Sequence, residues 1–198
     1  MKQNIYFALA IFAVIGFSAC AEKTSSETVE KTFTKIDIKD LSDNAVSLFA
    51  DNWFVVTAGN DSVSNPMTIS WGALGNVWQS PAVTIYIRHS RHTFGFLNDN
   101  NYFTLCAFDE KYREKVQYIG QKSGRDGDKI AATGLTSIRT ELGSVYYEEA
   151  RLVIECEKVY AGDINPADIL DENIKAMYDD GNEHCMFIGR IVNVWEKK

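Results

Sequence analysis

The sequence lacks the residue patterns that metal centres and several common catalytic sites require. Its four cysteines form no Cys-x-x-Cys pair and it has only three histidines, so we expect no zinc or iron–sulfur site. It also contains no Gly-x-Ser-x-Gly and no Gly-x-Gly-x-x-Gly. A hydrolase nucleophile elbow and a Rossmann nicotinamide site are therefore not expected.

Positive charge and long apolar runs are scarce as well. Lys and Arg number 20 against 27 Asp and Glu, which gives a net charge of −7 and argues against nucleic acid as a partner. Any basic cluster should therefore be local and placed for an anion. The main apolar run, residues 5–17, is too short for a comfortable membrane span.

The N-terminus has the pattern of a secretory signal. Lys2 precedes the apolar run, and Ser18-Ala19-Cys20 follows it with the small residues of a cleavage site. A cysteine after small residues resembles a bacterial lipobox, so we predict that residues 1–19 are a lipoprotein signal peptide and that Cys20 is lipidated. The alternatives are a cleaved soluble signal and a retained anchor. We expect the protein in the cell envelope, in contact with a bacterial membrane only through this anchor.

The rest of the chain divides into a tether and one domain. Residues 20–32 are rich in Ser, Thr, Glu and Lys, a composition that predicts a flexible tether. Residues 33–198, about 165 in all, suffice for one domain but not for two. Three cysteines lie in apolar, strand-like runs, where we expect buried thiols, although one disulfide is the alternative in an oxidising compartment. They are Cys106, Cys156 and Cys185.

Apolar alternation predicts a mainly β domain with inserted helices. Six or seven strands are expected, the clearest at residues 53–58, 67–71, 82–87, 102–108, 150–160 and 186–195. Helices are expected at residues 45–49, 109–121, 126–133 and 166–177. Because strands and helices do not alternate regularly, an antiparallel barrel is favoured over a doubly wound sheet.

Three segments carry the donor types that a phosphate monoester and the edge of a flavin ring need, namely hydroxyls, guanidinium groups and backbone amides. They are Asn65-Pro66-Met67-Thr68-Ile69-Ser70-Trp71-Gly72, Arg88-His89-Ser90-Arg91-His92-Thr93 and Lys122-Ser123-Gly124-Arg125-Asp126. Glu183-His184 then precedes a last strand that contains Ile188-Gly189-Arg190-Ile191-Val192. From about residue 53 to residue 195, this order resembles the flavin reductase-like, FMN-binding split-barrel proteins.

The resemblance implies a six-stranded, antiparallel split β-barrel of the Greek-key type that forms a homodimer. It also implies FMN in a groove at or near the dimer interface. In the strand around Thr68 and Ser70 the two hydroxyls share one face, while Met67, Ile69 and Trp71 share the other. The hydroxyls are predicted to bond the pyrimidine edge of the flavin. The alternative is an ordinary amphipathic strand.

A phosphate site is predicted from the two basic segments. Arg88, Arg91 and Thr93 supply two guanidinium groups and one hydroxyl, and a helix that starts near His92-Thr93 adds its N-terminal amides. The second segment adds Lys122, Ser123, Gly124 and Arg125. The alternatives are a solvated basic rim for the first segment and a polar loop, capped by Ser123, for the second.

The resemblance also places His184 close to the flavin and the nicotinamide, where it orients the hydride donor or bonds the ring. The alternative is a strand-end histidine without a function. Trp71 and Trp78 either cover the flavin ring or belong to the core.

The resemblance implies hydride transfer through FMN, with NADH or NADPH as a transient co-substrate and flavin reductase as the activity. Export conflicts with this donor, because nicotinamides should be scarce in the envelope. An envelope electron-transfer flavoprotein with a membrane or redox-protein donor is therefore one alternative. A non-catalytic, flavin-binding lipoprotein is the other.

Overall fold

The computed structural model describes residues 32–60 and 63–198. The predicted signal peptide, the lipidated Cys20 and the tether up to residue 31 lie outside these described residues. Within them, no helix is long and apolar enough to cross a membrane.

Ten strands and five α-helices make up the described chain. The strands are β1 Phe33–Lys35, β2 Phe54–Gly59, β3 Ser64–Ile69, β4 Gly72–Val77, β5 Ser80–Arg88, β6 Tyr102–Ala107, β7 Ser137–Arg139, β8 Val145–Tyr147, β9 Leu152–Asp163 and β10 His184–Lys197. The helices are α1 Ala45–Ser47, α2 His92–Asp99, α3 Arg113–Gln121, α4 Lys129–Thr133 and α5 Glu172–Lys175. Short 3₁₀ turns span Ile38–Asp40, Glu110–Tyr112, Pro166–Asp168 and Ala176–Tyr178, and a π-helical turn spans Leu48–Asn52.

Eight strands form one antiparallel sheet in the order β3-β2-β6-β9-β10-β5-β4, with β1 added to β10. Strands β7 and β8 form a separate pair. The two ends of the order, β3 and β4, are consecutive in the chain and are joined by Ser70-Trp71 alone. The sheet therefore curls until its two ends meet at this link without pairing, which leaves a split between β3 and β4. The predicted mainly β class is confirmed, and the sheet has two strands more than the six that the resemblance implies.

Apolar side chains pack on both faces of the curled sheet. Along β2, Phe54 and Val56 belong to the inner cluster, whereas Val55 belongs to an outer cluster under α3. The alternation follows from the two-residue period of a strand. Each face thus buries its own core, and the outer one fixes α3 against the sheet beside β3. The three cysteines Cys106, Cys156 and Cys185 are buried and free.

Two predicted helices differ from the structure. The one expected at 166–177 is broken, because Asn165 caps a 3₁₀ turn and Asp171 caps α5 separately. The Asp171 carboxylate accepts from the amides of Asn173 and Ile174 at 2.8 and 3.1 Å. The helix expected at 126–133 begins only at Lys129, where Asp128 caps it, and ends as expected at Gly134 with φ +61°.

Candidate functional site

Three adjoining clefts form one groove along β3, α3 and the split of the sheet. We call them the basic, the middle and the apolar cleft, with volumes of about 200, 240 and 550 Å³. The basic and middle clefts share Gly120 and Gln121 at the end of α3. The middle and apolar clefts share Ser70 in the link between β3 and β4. An elongated ligand can therefore contact all three.

The basic cleft lies between the start of α2 and the loop that joins α3 to α4. Arg91 caps α2 with extended backbone and makes no side-chain cap bond. The first amides of this helix have no partner inside the helix and carry its positive dipole end. Across the cleft, the loop turns tightly, because the amide of Asp126 donates to the Ser123 carbonyl at 3.1 Å and the amide of Arg125 donates to Ser123 Oγ at 3.2 Å. The two segments predicted for phosphate thus face one cleft.

Asn65 and Thr93 lie beneath this loop and fix its position. Asn65 Nδ2 donates to Thr93 Oγ1 at 2.6 Å, and both residues are buried. A Cβ atom on Gly124 would lie 1.9 Å from Asn65 Oδ1 and 3.0 Å from a ring carbon of His92. Only glycine lets the loop approach so closely. Because Asn65 donates to it, the Thr93 hydroxyl serves as an acceptor in the floor of the cleft.

The cations of the basic cleft have no carboxylate partners among the described residues. Four cationic side chains line it, namely Arg91, Lys122, Arg125 and Lys129. None of them forms an ion pair within the described part of the chain, whereas Arg88, Arg113, Arg151, Lys175 and Arg190 all do. In a chain with net charge −7, such a group of cations gives the cleft a local positive potential that favours anions.

Burial lowers two pKa values in this cleft. Burial lowers the pKa of Lys129 to about 8. Burial, followed by the positive charges of Arg125 and Lys129, lowers the pKa of His92 below 6.5. His92 is therefore mostly neutral at pH 7, whereas Lys129 is mostly charged.

Arg88 does not lie in the basic cleft. Its guanidinium pairs with the Asp180 carboxylate at 2.9 Å and donates to the Met177 carbonyl at 3.0 Å. Arg88 lies directly opposite His184 in the β5–β10 pairing. The structure thus separates it from Arg91, although the two are only three positions apart.

His184 contacts two aromatic rings beside the apolar cleft. Its ring centre lies 4.8 Å from that of Trp71, and its Nδ1 lies 3.1 Å from the Tyr178 hydroxyl. Burial lowers the pKa of His184, and the charges of Arg88 and Arg91 lower it further. A neutral imidazole at pH 7 leaves Nε2 for a ligand, since Nδ1 is taken by Tyr178.

The hydroxyl and aromatic residues of the link have different surroundings. Thr68 Oγ1 donates to the Val116 carbonyl at 2.5 Å, which ties β3 to α3, while Ser70 is exposed where two clefts meet. Trp71 is 45% exposed and lines the apolar cleft. Trp78 is 65% exposed at the β4–β5 turn and lies 6.4 Å from Tyr160. Neither tryptophan is therefore a core residue.

Comparison with known proteins decides the family. The family model described as "flavin reductase like domain" matches residues 46–198. The chain belongs to the flavin reductase-like family. This membership confirms the family that the sequence motifs suggest.

Solved flavin reductase-like structures share the fold of this domain. A flavoredoxin from Methanosarcina acetivorans is 18% identical, with 74% of this chain and 69% of that chain covered and a TM-score of 0.60. An FMN-binding protein from Thermus thermophilus, solved with 1-cyclohex-2-enone, is 23% identical, with 73% and 69% covered and a TM-score of 0.59. An NADH:FAD oxidoreductase from Streptomyces globisporus is 14% identical, with 76% and 82% covered and a TM-score of 0.58. These likenesses establish the predicted split-barrel fold. Among curated proteins no match was found.

Three groove residues of this flavin reductase-like domain are absent from the predicted site. Lys129 carried no signal, because a lysine after a helix cap is usually exposed. Asn65 belongs to the first motif, and its position before Pro66 could have predicted extended backbone beside the site. Trp53 lines the middle cleft with φ +63°, a conformation that no sequence pattern indicated.

Within the described residues, no acidic, cysteine or histidine cluster suits a metal ion.

Proposed function

We propose that this domain binds FMN in the groove and acts as a flavin oxidoreductase that accepts hydride from NADH or NADPH. The observation that carries the proposal is the group of cations without ion pairs in the basic cleft, which the middle cleft connects to the larger apolar cleft. FMN combines a dianionic phosphate with a flat, mostly apolar ring at opposite ends, and the groove has matching ends.

The residues of the basic cleft are assigned to the FMN phosphate. Arg91, Lys122 and Arg125 would hold the phosphate together with the first amides of α2, since charged donors and a helix N-terminus both favour anions. Ser123 and Gly124 would keep the loop close enough for these contacts. The FMN supplies the hydride chemistry when it is bound, and the protein supplies position and exclusion of water.

At the other end, Ser70 would bond the ring edge, and Trp71 with Phe49 would shield the ring from water in the apolar cleft. His184 is the candidate for orienting the hydride donor, through the Nε2 atom that Tyr178 leaves available. Thr68 would support the site without donating to the ring, because its hydroxyl donates to the Val116 carbonyl of α3. We assign Arg88 to the His184 side of the groove.

We further propose a homodimer anchored in the cell envelope. Val46 and Trp71 line the apolar cleft and are 74% and 45% exposed, so a second copy would bury them and close the groove. The signal and lipobox pattern at Cys20 supports the envelope. Because nicotinamides should be scarce there, that location favours a second candidate, an electron-transfer flavoprotein with another donor.

The test is an anaerobic titration of the purified domain, from residue 21 onward, with FMN and then with NADH and NADPH. Binding of FMN followed by rapid bleaching of its visible bands would support the reductase. Bands that persist until dithionite is added would support the electron-transfer candidate. A domain that binds neither FMN nor riboflavin would overturn both.

The same titration with two variants tests the phosphate assignment. Arg91→Gln combined with Arg125→Gln should weaken FMN at least tenfold and riboflavin far less, because only FMN has the phosphate. Arg190→Gln is the matched control, since Arg190 pairs with Glu157 outside the groove. Equal losses for FMN and riboflavin would move the phosphate site elsewhere.

A further inference from the structure

Lys129 is a buried lysine under the basic cleft. Only 5% of it is exposed, and its Nζ donates to the carbonyl of Pro66 and, at 3.2 Å, to the carbonyl of Ile119. These carbonyls belong to β3 and α3, so the ammonium group ties the strand to the helix. An ammonium has three donors, and one is left for a ligand in the cleft that Lys129 lines.

No carboxylate compensates this buried charge. Within residues 32–60 and 63–198, Lys129 takes part in no ion pair. The neighbouring Asp128 carboxylate accepts from the amides of Ile130 and Ala131 at 2.8 and 3.0 Å, where it caps α4. Asp126 is exposed in the loop. A buried charge without an opposite charge is costly, which favours an anion beside Lys129 in the cleft.

The charged groups that line the basic cleft beside Lys129 are all positive. Arg91 precedes α2 and His92 begins it, while Lys122 and Arg125 lie in the loop between α3 and α4. Burial makes it harder for Lys129 to keep its proton while the cleft holds no anion. A dianion in the cleft would reverse this effect.

We propose that Lys129 is the buried counter-charge of the flavin phosphate, so that FMN, unlike riboflavin, binds with uptake of a proton in mildly alkaline solution. This inference rests on the proposed FMN function and adds a pH control to it. The reason is linkage. Without ligand, the pKa of Lys129 is lowered to about 8, and a bound phosphate would raise it again.

Between these two pKa values the free protein is deprotonated at Lys129, whereas the complex is protonated. In that range the dissociation constant for FMN rises by up to about tenfold per pH unit. His92 follows the same logic, but its lowered pKa overlaps the second ionisation of a phosphate monoester near pH 6. Measurements above pH 7 therefore isolate Lys129.

The experiment measures dissociation constants for FMN and riboflavin between pH 7 and pH 9.5 by quenching of flavin fluorescence. We expect FMN to weaken by about tenfold per unit above pH 8, with little change for riboflavin, which shares the ring ionisation but has no phosphate. Lys122→Met, the matched exposed lysine of the same cleft, should weaken FMN at every pH and keep the slope. Lys129→Met should weaken FMN at pH 7 and remove the slope.

Lys129→Met also removes a hydrogen-bond donor from the carbonyls of Pro66 and Ile119, so a wild-type measurement makes the test independent of any variant. Titration calorimetry at pH 8.5 in two buffers with different ionisation enthalpies gives the number of protons taken up. A value of about 0.7–0.8 for FMN, as a free pKa of about 8 requires at pH 8.5, and near zero for riboflavin supports the proposal. A value near zero for FMN, or one shared by both flavins, overturns it while leaving FMN binding intact. Absence of FMN binding at every pH would instead overturn the proposed function.

Discussion

The loop over the basic cleft should tolerate no side chain at Gly124. Gly124→Ala places a Cβ atom 1.9 Å from Asn65 Oδ1, so the Asn65 side chain or the loop must move. Asn65 is 5% exposed and cannot turn outward without losing its 2.6 Å bond to Thr93. The effect is steric and local, because the backbone of Gly124 lies outside the left-handed region.

The size of the effect follows from the groups that lose their partner. A buried donor or acceptor without a partner costs about 1–3 kcal/mol, and the lower entropy of the unfolded alanine chain offsets about 0.4–1 kcal/mol. The free energy of unfolding should therefore fall by about 1–2 kcal/mol, which lowers the melting temperature of a domain of this size by about 2–8 °C. FMN should bind at least tenfold more weakly, because the loop carries Lys122 and Arg125.

The assay combines thermal unfolding by circular dichroism with FMN titration. Gly95→Ala is the matched control, since Gly95 lies in α2 beside the same cleft and a Cβ there would contact nothing within 4 Å. That control should raise stability by about 0.5–1 kcal/mol through helix propensity. If Gly124→Ala melted and bound FMN like the wild type, the close approach of the loop to Asn65 would be wrong.

Two further predictions concern stability. Lys129 has a pKa lowered from 10.5 to about 8 in the folded protein, so between pH 8 and pH 10.5 the unfolded chain binds more protons and the flavin-free protein should gain up to about 3 kcal/mol as pH rises through this window. Urea unfolding at pH 7.5 and 9.5 should show about 2 kcal/mol of this gain, and an equal gain in Lys129→Met would assign it to other groups. Arg113→Gln should destabilise by about 1–3 kcal/mol, because Arg113 stacks 4.0 Å over Trp53 and donates to the carbonyls of Asp51 and Asn52 at 2.6 and 3.1 Å. Unfolding monitored by tryptophan fluorescence, with Arg190→Gln as control, checks this, and equal stability of the two variants would contradict it.

Sequence patterns predicted the long strands well because their alternation is a local property. The strand β9, for example, spans Leu152–Asp163, close to the predicted 150–160, although its first five residues, Glu155 among them, are all buried. Strand β4 was missed, since Gly72 and Gly75 give it little strand propensity. It exists because it pairs with β5 through the tight turn at Trp78 and Gln79, where φ is +50° and +60°. Pairing of this kind depends on the partner strand and not on the segment itself.

In the candidate site, too, local features were predictable and features that depend on distant residues were not. Both basic segments reach one cleft, as their donor types suggested. Sequence could not separate Arg88 from Arg91, because the difference depends on Asp180, which lies 92 positions from Arg88. The burial of Lys129 could not be predicted from the sequence either, since it depends on how closely α3 packs on β3.

The split between β3 and β4 has a mechanical consequence for the groove. The two strands are joined by the Ser70-Trp71 link and by no ladder of hydrogen bonds, so drawing them apart breaks no strand pair. The apolar cleft therefore borders the unpaired part of the sheet, whereas the basic and middle clefts lie where hydrogen bonds from Thr68 and Lys129 tie β3 to α3. A ligand would be held firmly at its charged end, whereas its other end would lie beside the part of the sheet that can open. Such a groove would select its ligand by the charged group and would accept second reactants of different shapes beside the other end.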